Sequence, residues 1–296
     1  MHAGIAGTGK MGTAIARRLL ANGHRVTVWN RSAARAQPLL DLGAVAVDSP
    51  QALAAAVDTV VTMLTDEAAL REVCFGPAGL FSGPVAGKLF IDMSTVAPAW
   101  PREAGARARA AGAAYLECPV GGSVGPALEG RLLGFVGGAA ADLDRARELL
   151  ALLCRRIEHV GELGAGATLK LAINLPLMVY WQTLSEALSL LQPLGLDPAR
   201  VVDILADTSG GPNMLKARGP MIAKALAGTA DGSVSVDLAT MSKDLRAMLA
   251  QAALGQMRLP LAALTLQSME RASAQGLAGA DCTQLPVWWL HEGGKA

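Results

Sequence analysis

Three glycines near the start of the chain are spaced so that the backbone could approach a ligand closely. They stand in Gly7-Thr8-Gly9-Lys10-Met11-Gly12, between an apolar run of strand type and a segment with helical spacing. Gly7 permits a tight turn, Gly9 lets a pyrophosphate approach the backbone, and Gly12 lets the helix pack close to the strand. The N–H groups at the helix start would then bind the phosphates of a dinucleotide. The alternative is that the glycines serve helix packing only.

The residues after the second apolar run bear on which dinucleotide binds. Sites that prefer NAD place Asp or Glu about 20 residues after the glycines, where it binds the ribose 2′-hydroxyl. Here the run ends in Asn30-Arg31-Ser32, which contains no carboxylate. Arg31 can pair with a 2′-phosphate in a charge-assisted fork, and Asn30 and Ser32 can add hydrogen bonds. We therefore predict NADP(H) in preference to NAD(H). The alternative is that Arg31 is a solvated loop residue.

These motifs must be held at the edge of a sheet, and the first half of the chain predicts one. Short β-type runs alternate with alanine-rich helical segments, which is typical of a mostly parallel, doubly wound α/β (Rossmann) domain. After Gly166 the apolar residues recur at helical spacing, which predicts an all-α second domain. We place the domains at 1–163 and 164–296. The predicted strands are 1–6, 25–29, 44–47, 59–63, 89–92, 114–117, 132–136 and 157–160.

Within the second domain, the segment 208–220 is rich in Gly and Pro. We expect it to be a loop that either borders the substrate pocket or is simply exposed, because loops are polar and superficial by default. Its polar residues that could line a pocket are Asn213, Lys216 and Arg218.

The composition narrows the class of protein. The 296 residues carry 26 Lys and Arg against 25 Asp and Glu, and this balance argues against a nucleic-acid partner. The longest apolar stretch, 169–196, is interrupted by polar residues and two prolines, which argues against a membrane-spanning helix. The four cysteines are widely separated without metal-binding or disulfide spacing, so we expect a cytoplasmic protein.

Four further motifs follow the glycine motif in order. They are Asp92-Met93-Ser94-Thr95-Val96, Cys118-Pro119-Val120-Gly121-Gly122-Ser123, Lys170-Leu171-Ala172-Ile173-Asn174 and Lys243-Asp244-Leu245. As an ordered set, the five motifs resemble the β-hydroxyacid dehydrogenases, such as 3-hydroxyisobutyrate dehydrogenase and tartronate semialdehyde reductase, with 6-phosphogluconate dehydrogenase as a longer relative. The resemblance covers essentially the whole chain. It implies a metal-free, nicotinamide-dependent conversion between a small aldehyde acid and its β-hydroxy acid, in a cleft between a Rossmann domain and a helical domain.

The resemblance assigns the chemistry to the motif that begins at Lys170. Lys170 matches the catalytic lysine of the family and would donate a proton to the carbonyl oxygen as hydride is delivered. Asn174 lies four residues later, on the same helical face, and would fix the substrate and the lysine by hydrogen bonds. The alternative is that Lys170 is a solvated lysine at a helix start.

The loop Gly121-Gly122-Ser123 matches the substrate loop of the family but departs from its pattern. The family usually has a serine followed by two glycines, whereas this chain has Gly121 in place of the serine and Ser123 in place of a glycine. The backbone N–H groups of the two glycines can still hold a carboxylate. The alternative is a loop that is merely flexible.

The remaining cofactor contacts are also implied by the resemblance. Leu64 and Thr65 match a loop that lies against the cofactor, Thr95 a position near the nicotinamide ribose, and Lys243 a lysine that holds the nicotinamide half. For Lys243 the alternative is an exposed charge paired with Asp244.

Two other functions compete with this one. Imine reductases share the two-domain plan but usually carry Asp or Tyr at the position of Lys170, and a non-catalytic NADP-binding module is expected to lose the lysine. Lys170 therefore argues against both. The apolar helical half fits the homodimer or homotetramer that the family usually forms.

Overall fold

The structure is a computed structural model that describes residues 1–294. It divides into two compact units, Met1–Leu171 and Ala172–Ala296. The domain boundary that we placed between 163 and 164 stays a prediction, and residues 295 and 296 of the second predicted domain lie outside the described residues.

The first unit contains a nine-stranded sheet. Its strands are β1 (His2–Ala6), β2 (Arg25–Trp29), β3 (Val45–Ala46), β4 (Thr59–Thr62), β5 (Leu89–Asp92), β6 (Ala114–Glu117), β7 (Val120–Gly121), β8 (Leu132–Gly137) and β9 (Cys154–Gly161). The order is β3-β2-β1-β4-β5-β6-β8-β7, with β9 paired to β8, and β1 to β6 run parallel. The carboxyl ends of these six strands therefore lie along one edge of the sheet.

Helices cover both faces of this sheet. They are α1 (Lys10–Ala21), α2 (Gln37–Leu40), α3 (Pro50–Ala56), α4 (Glu67–Phe75), α5 (Ala99–Ala110), α6 (Val124–Glu129) and α7 (Ala140–Leu153). Two neighbouring residues of β4 pack into different hydrophobic cores. Val61 packs with residues of α1 and α7, whereas Val60 packs with residues of α3, α4 and α5. Because successive strand residues face opposite sides, the sheet has one core on each face.

The last strands depart from the parallel pattern. β8 runs antiparallel to β6 and β7, and parallel to β9. The sequence predicted a strand at 132–136 but neither β7 nor the short helix α6. A parallel connection needs about a dozen or more residues, and only residues 122–131 separate β7 from β8. A two-residue strand is also too short to show an alternating pattern.

The second unit is helical throughout its described residues, apart from loops and one isolated bridge. Its helices are α8 (Ala165–Leu191, which begins in the first unit), α9 (Pro198–Ala206), α10 (Asn213–Leu226), α11 (Leu238–Leu254), α12 (Pro260–Ala272) and α13 (Gln284–Trp288). None of the helices described is long and apolar enough to cross a membrane. The predicted fold class, a Rossmann domain followed by an all-α domain, is confirmed.

The expectation of a loop at 208–220 is wrong for most of that segment, because α10 starts at Asn213 and runs through Pro220. A proline inside a helix removes one backbone hydrogen bond. Leu215 and Ile222, seven residues apart on one helical face, are fully buried. The burial of this apolar face outweighs the cost of the proline.

Candidate active site

The glycine-rich turn forms where β1 ends and α1 begins. Gly7 has φ +102°, and a side chain there would strike the carbonyl oxygen of Met63 and approach Leu64 Cδ2 to 2.7 Å. A side chain at Gly12 would strike the carbonyl oxygen of Gly7. Glycine is therefore required at both positions for α1 to start directly against β1.

Gly9, by contrast, borders open space. Apart from the neighbouring backbone, no atom of residues 1–294 lies within 4 Å of the place that a Cβ at Gly9 would occupy. No side chain caps the start of α1, and its first turn contains no acidic residue. The positive end of the helix and its N–H groups therefore present a place for an anion.

Thr8 adds a second indication of a phosphate site at this turn. Its side chain is buried, and its Oγ1 has no hydrogen-bond partner among the described residues. Buried hydroxyls almost always have a partner, so an unsatisfied one beside a helix start marks a place where a ligand oxygen fits. The residues of the turn thus fit the pyrophosphate of a dinucleotide. Lys10 and Met11 form the first turn of α1, where Lys10 is exposed.

The end of β2 is tied to the glycine-rich turn by Asn30. Its Oδ1 accepts the Thr8 backbone N–H at 3.0 Å, and its Nδ2 donates to the Ser32 carbonyl oxygen at 2.9 Å. Both ends of the amide are thus used to hold the loop. Arg31 and Ser32 are exposed, so the guanidinium can reach a solvent-facing phosphate.

A buried carboxylate, Asp92, organises the ends of β4 and β5. Its Oδ1 accepts the Thr62 hydroxyl at 2.8 Å and the Ser94 N–H at 3.0 Å. Its Oδ2 accepts the Trp100 indole N–H at 3.0 Å and the Tyr115 hydroxyl at 3.1 Å. These four donors satisfy both carboxyl oxygens and fix the start of the segment that carries Thr95.

Ser94 connects this cluster to the neighbouring loop. Its Oγ accepts the Leu64 N–H at 3.0 Å. The two loops that the sequence assigned to the cofactor, Leu64-Thr65 after β4 and Thr95 after β5, are therefore held together through Ser94. The loop after β4 also lies near the glycine-rich turn, since Leu64 Cδ2 is 2.7 Å from the place that a Cβ at Gly7 would occupy.

A second buried carboxylate, Glu117, ends β6 and caps the long helix α8. Its Oε1 accepts the N–H groups of Gly164 at 2.5 Å and Gly166 at 3.0 Å, and its Oε2 accepts that of Ala167 at 3.0 Å. Burial raises the pKa of this carboxyl to about 7, although the three N–H groups favour the charged form.

Lys170 lies five residues after the start of α8 and is only 8% exposed. The alternative of a solvated lysine at a helix start is therefore wrong. Lysine side chains are almost never buried without a specific environment. The helix start, the lysine and the glycine-rich turn all belong to the first unit.

The substrate loop follows Glu117 along the chain. Gly122 has φ +127°, and a Cβ there would lie 2.7 Å from Leu132 Cδ2, so glycine is required. A Cβ at Gly121 would lie 3.4 Å from Leu133 Cβ, an ordinary contact. The serine that the family usually has would therefore fit at Gly121. Ser123 precedes α6 with an exposed side chain that does not cap it.

In the second unit, Asp244 brings two predicted site residues together. It is buried, its Oδ2 accepts the Asn174 amide at 3.5 Å, and its Oδ1 pairs with Lys243 Nζ at 2.9 Å. The alternative for Lys243, an exposed charge, expects an ion pair with Asp244. That ion pair is present, and the Lys243 side chain is 32% exposed. The buried Asp244 also links Lys243 to Asn174.

The sequence analysis gave no role to Asp92, Ser94, Glu117 or Asp244. The signal for two of them was available: Asp92 and Glu117 each end an otherwise apolar run, and the register pairs them with each other. Carboxyl ends of parallel strands are where α/β sheets bind ligands. An acidic residue that closes an apolar strand is therefore a useful sign of an organising carboxylate.

Comparison with known proteins agrees with this arrangement. The family model for the NAD binding domain of 6-phosphogluconate dehydrogenase matches residues 2–161. The model described as the NAD-binding region of NADP-dependent 3-hydroxyisobutyrate dehydrogenase matches residues 164–288. Together they span both units.

Individual relatives match over most of their length. Glyoxylate/succinic semialdehyde reductase 2, chloroplastic, of Arabidopsis thaliana is 31% identical over 278 residues, 94% of this chain and 76% of its own. The 3-hydroxyisobutyrate dehydrogenase of Pseudomonas aeruginosa is 36% identical over 264 residues, 87% of each chain. The solved structure of Psf3 in complex with NADP+ and 2-OPP is 28% identical, with a TM-score of 0.86 over 96% of this chain and 99% of that one. With the motifs, the sheet and both family models in agreement, the chain belongs to the β-hydroxyacid dehydrogenase family.

Proposed function

We propose that this protein is an NADP(H)-dependent oxidoreductase that interconverts a small aldehyde or keto acid and its β-hydroxy acid. The observation that supports this most is the buried Lys170, set near the start of α8 in the same unit as the glycine-rich turn. The named relatives, which include a semialdehyde reductase and a hydroxyisobutyrate dehydrogenase, support the substrate class.

In this proposal the residues that the five motifs assign to the cofactor hold it. Gly7, Gly9 and Gly12 shape the turn, and Thr8, Lys10 and Met11 complete the place for the pyrophosphate. Arg31 binds the 2′-phosphate, with Asn30 and Ser32 around it. Leu64, Thr65, Thr95 and Lys243 hold the nicotinamide half. When bound, the reduced nicotinamide supplies the hydride.

The chain's own contribution to the chemistry is binding and proton transfer. The backbone N–H groups of Gly121 and Gly122, with Ser123 beside them, bind the substrate carboxylate. Asn174 holds the substrate by a hydrogen bond. The Lys170 ammonium donates a proton to the carbonyl oxygen during reduction, and the neutral amine takes it back from the hydroxyl in the reverse direction.

We further propose that the enzyme works in the cytoplasm as a homodimer or homotetramer. The exposed apolar side chains on the helices of the second unit, Leu254, Leu261 and Leu264 among them, support association.

The test is oxidation of NADPH, followed at 340 nm, with glyoxylate, succinic semialdehyde and the cyclic imine 1-pyrroline as substrates. The proposal expects turnover of an aldehyde acid that Lys170→Ala lowers at least about 100-fold while NADPH still binds, since a positioned general acid contributes about 10²–10⁴-fold. Turnover of the imine alone would favour an imine reductase. NADPH binding without any turnover would favour the non-catalytic module.

A further inference from the structure

Glu117 links two parts of the proposed site that lie far apart in the sequence. It is the last residue of β6, four residues before the substrate loop begins at Gly121. Its carboxylate receives the N–H groups of Gly164, Gly166 and Ala167, which lie 47 to 50 residues further along and form the start of α8. One side chain thus connects the strand that leads into the loop with the helix that carries Lys170.

Glycines at nearby positions leave the space that the Glu117 carboxylate occupies. A side chain at Gly137 would strike Glu117 Oε1, and one at Gly166 would strike the carbonyl oxygen of Phe135 and lie 3.3 Å from Glu117 Cδ. Gly164 has φ +99°, which favours glycine. The backbone around α8 is therefore shaped to deliver three N–H groups to a single buried carboxylate.

The distance from this cap to Lys170 is short. Lys170 is five residues beyond Ala165, so it lies little more than one helical turn from the capped N–H groups. A displacement of the helix start would move the lysine by a similar amount. Misplacing a reacting group by about 1 Å can cost on the order of 100-fold in rate.

We propose that Glu117 is the positioning residue for Lys170: it fixes the start of α8 against the strand that leads into the substrate loop, so that the lysine keeps a defined place relative to residues 121–123. This inference rests on the proposed function, in which Lys170 is the general acid. Glu117 touches neither substrate nor cofactor in this role, and it acts only through the helix.

The test compares Glu117→Gln and Glu117→Ala with a matched cap elsewhere. Asp197 caps α9 by accepting the Arg200 N–H at 3.0 Å, and α9 carries no residue of the proposed site. Asp197→Asn likewise removes the charge from a helix start and keeps one acceptor oxygen, so it measures what the loss of the charge alone does to thermal stability. Glutamine keeps one acceptor oxygen, so it should perturb the helix less than alanine.

Two readouts separate positioning from stability. The first is kcat and KM for the aldehyde acid that the wild type reduces: we expect Glu117→Gln to lower kcat at least about 10-fold with KM changed less than about 3-fold, and Asp197→Asn to leave both unchanged. The second needs no turnover. We expect acetylation of Lys170 by acetic anhydride, measured by mass spectrometry, to be at least about 5-fold faster in Glu117→Gln, with exposed Lys224 as the internal control.

The outcomes distinguish this inference from the proposed function. Kinetics within about twofold of wild type and unchanged labelling of Lys170 in Glu117→Gln would overturn the positioning role, whatever happens to the melting temperature. Full activity of Lys170→Ala, or no turnover by the wild type, would overturn the proposed function instead. In that case the labelling rate still decides whether Glu117 places the lysine. If Glu117→Ala does not fold, the glutamine variant carries the test.

Discussion

At the level of single residues, Arg31 carries the proposed choice between the two nicotinamide cofactors. It is exposed at the end of β2, and the loop around it holds no carboxylate. We expect Arg31→Ala to raise the KM for NADPH by about 10- to 100-fold, because a hydrogen-bonded charge contributes about 1.5–3 kcal/mol, and to leave the KM for NADH nearly unchanged. Steady-state kinetics with both cofactors measures this. An equal shift for both would disprove the assignment, and Arg109→Ala, an exposed arginine on α5, is the control.

The two glycines of the substrate loop should respond differently to the same change. A side chain at Gly121 meets only ordinary contacts, whereas Gly122 has φ +127° and a neighbour at 2.7 Å. We expect Gly121→Ser to keep the stability of the wild type, and Gly122→Ser to lose about 1–3 kcal/mol, the usual cost of a strained backbone conformation. Urea unfolding compares the two variants.

Activity adds a second measurement on the first of these variants. The family usually has a serine at the position of Gly121. If a serine hydroxyl there binds the substrate, Gly121→Ser should lower the KM for aldehyde acids. An unchanged KM would mean that the loop binds the carboxylate through its backbone alone.

At the level of elements, Glu117, which connects β6 to the start of α8, should make the free energy of unfolding depend on pH. The pKa of Glu117 is raised from 4.5 to about 7 by burial, with the Asp92 carboxylate on neighbouring β5 adding to the effect. The folded state therefore binds the proton of the Glu117 carboxyl more tightly than the unfolded chain does. The stability that this proton contributes falls as the pH rises from about 4.5 to 7. The full loss is about 3 kcal/mol at 1.36 kcal/mol per pKa unit.

Denaturant unfolding of the wild type and Glu117→Gln at several pH values measures this loss. The wild type should weaken relative to the variant between pH 5 and pH 8. Parallel pH profiles of the two proteins would show that Glu117 does not titrate in this range.

The same elements show what the sequence could predict and what it could not. The glycine-rich turn was predictable because two of its glycines meet a local requirement: Gly7 has a positive φ, and Gly12 approaches the carbonyl oxygen of Gly7. For Asp92 and Glu117 the sequence offered only the sign of an acidic residue that ends an apolar run. Their donors could not be predicted, since these come from segments up to 50 residues away. Strand β7 and helix α6 were too short for any periodicity, and α10 was hidden by Pro220, whose local cost is outweighed by tertiary burial.

At the level of the whole molecule, the exposed apolar side chains are unevenly distributed. Leu254, Met257, Leu261 and Leu264 follow one another where α11 ends and α12 begins, and each is 59–78% exposed. Large exposed apolar patches are typical of interfaces, and these four exposed side chains lie within eleven residues of one another in the sequence. We expect the wild type to sediment as a multiple of its 30.4 kDa chain, and the double variant Leu261→Glu/Leu264→Glu to shift toward the monomer.

Analytical ultracentrifugation at micromolar concentration measures the association. Leu42→Glu, at an exposed leucine of the first unit, is the control and should leave the mass unchanged. A monomeric wild type would rule out the proposed assembly.

The four donors around Asp92 imply that a substitution of the acceptor and a substitution of one donor have unequal effects. Loss of the Thr62 or the Tyr115 hydroxyl leaves three donors on the carboxylate, whereas replacement of Trp100 also removes a large, fully buried side chain. Replacement of Asp92 by alanine removes the acceptor from all four donors at once. We therefore expect a change at position 92 to be tolerated less well than the loss of either hydroxyl.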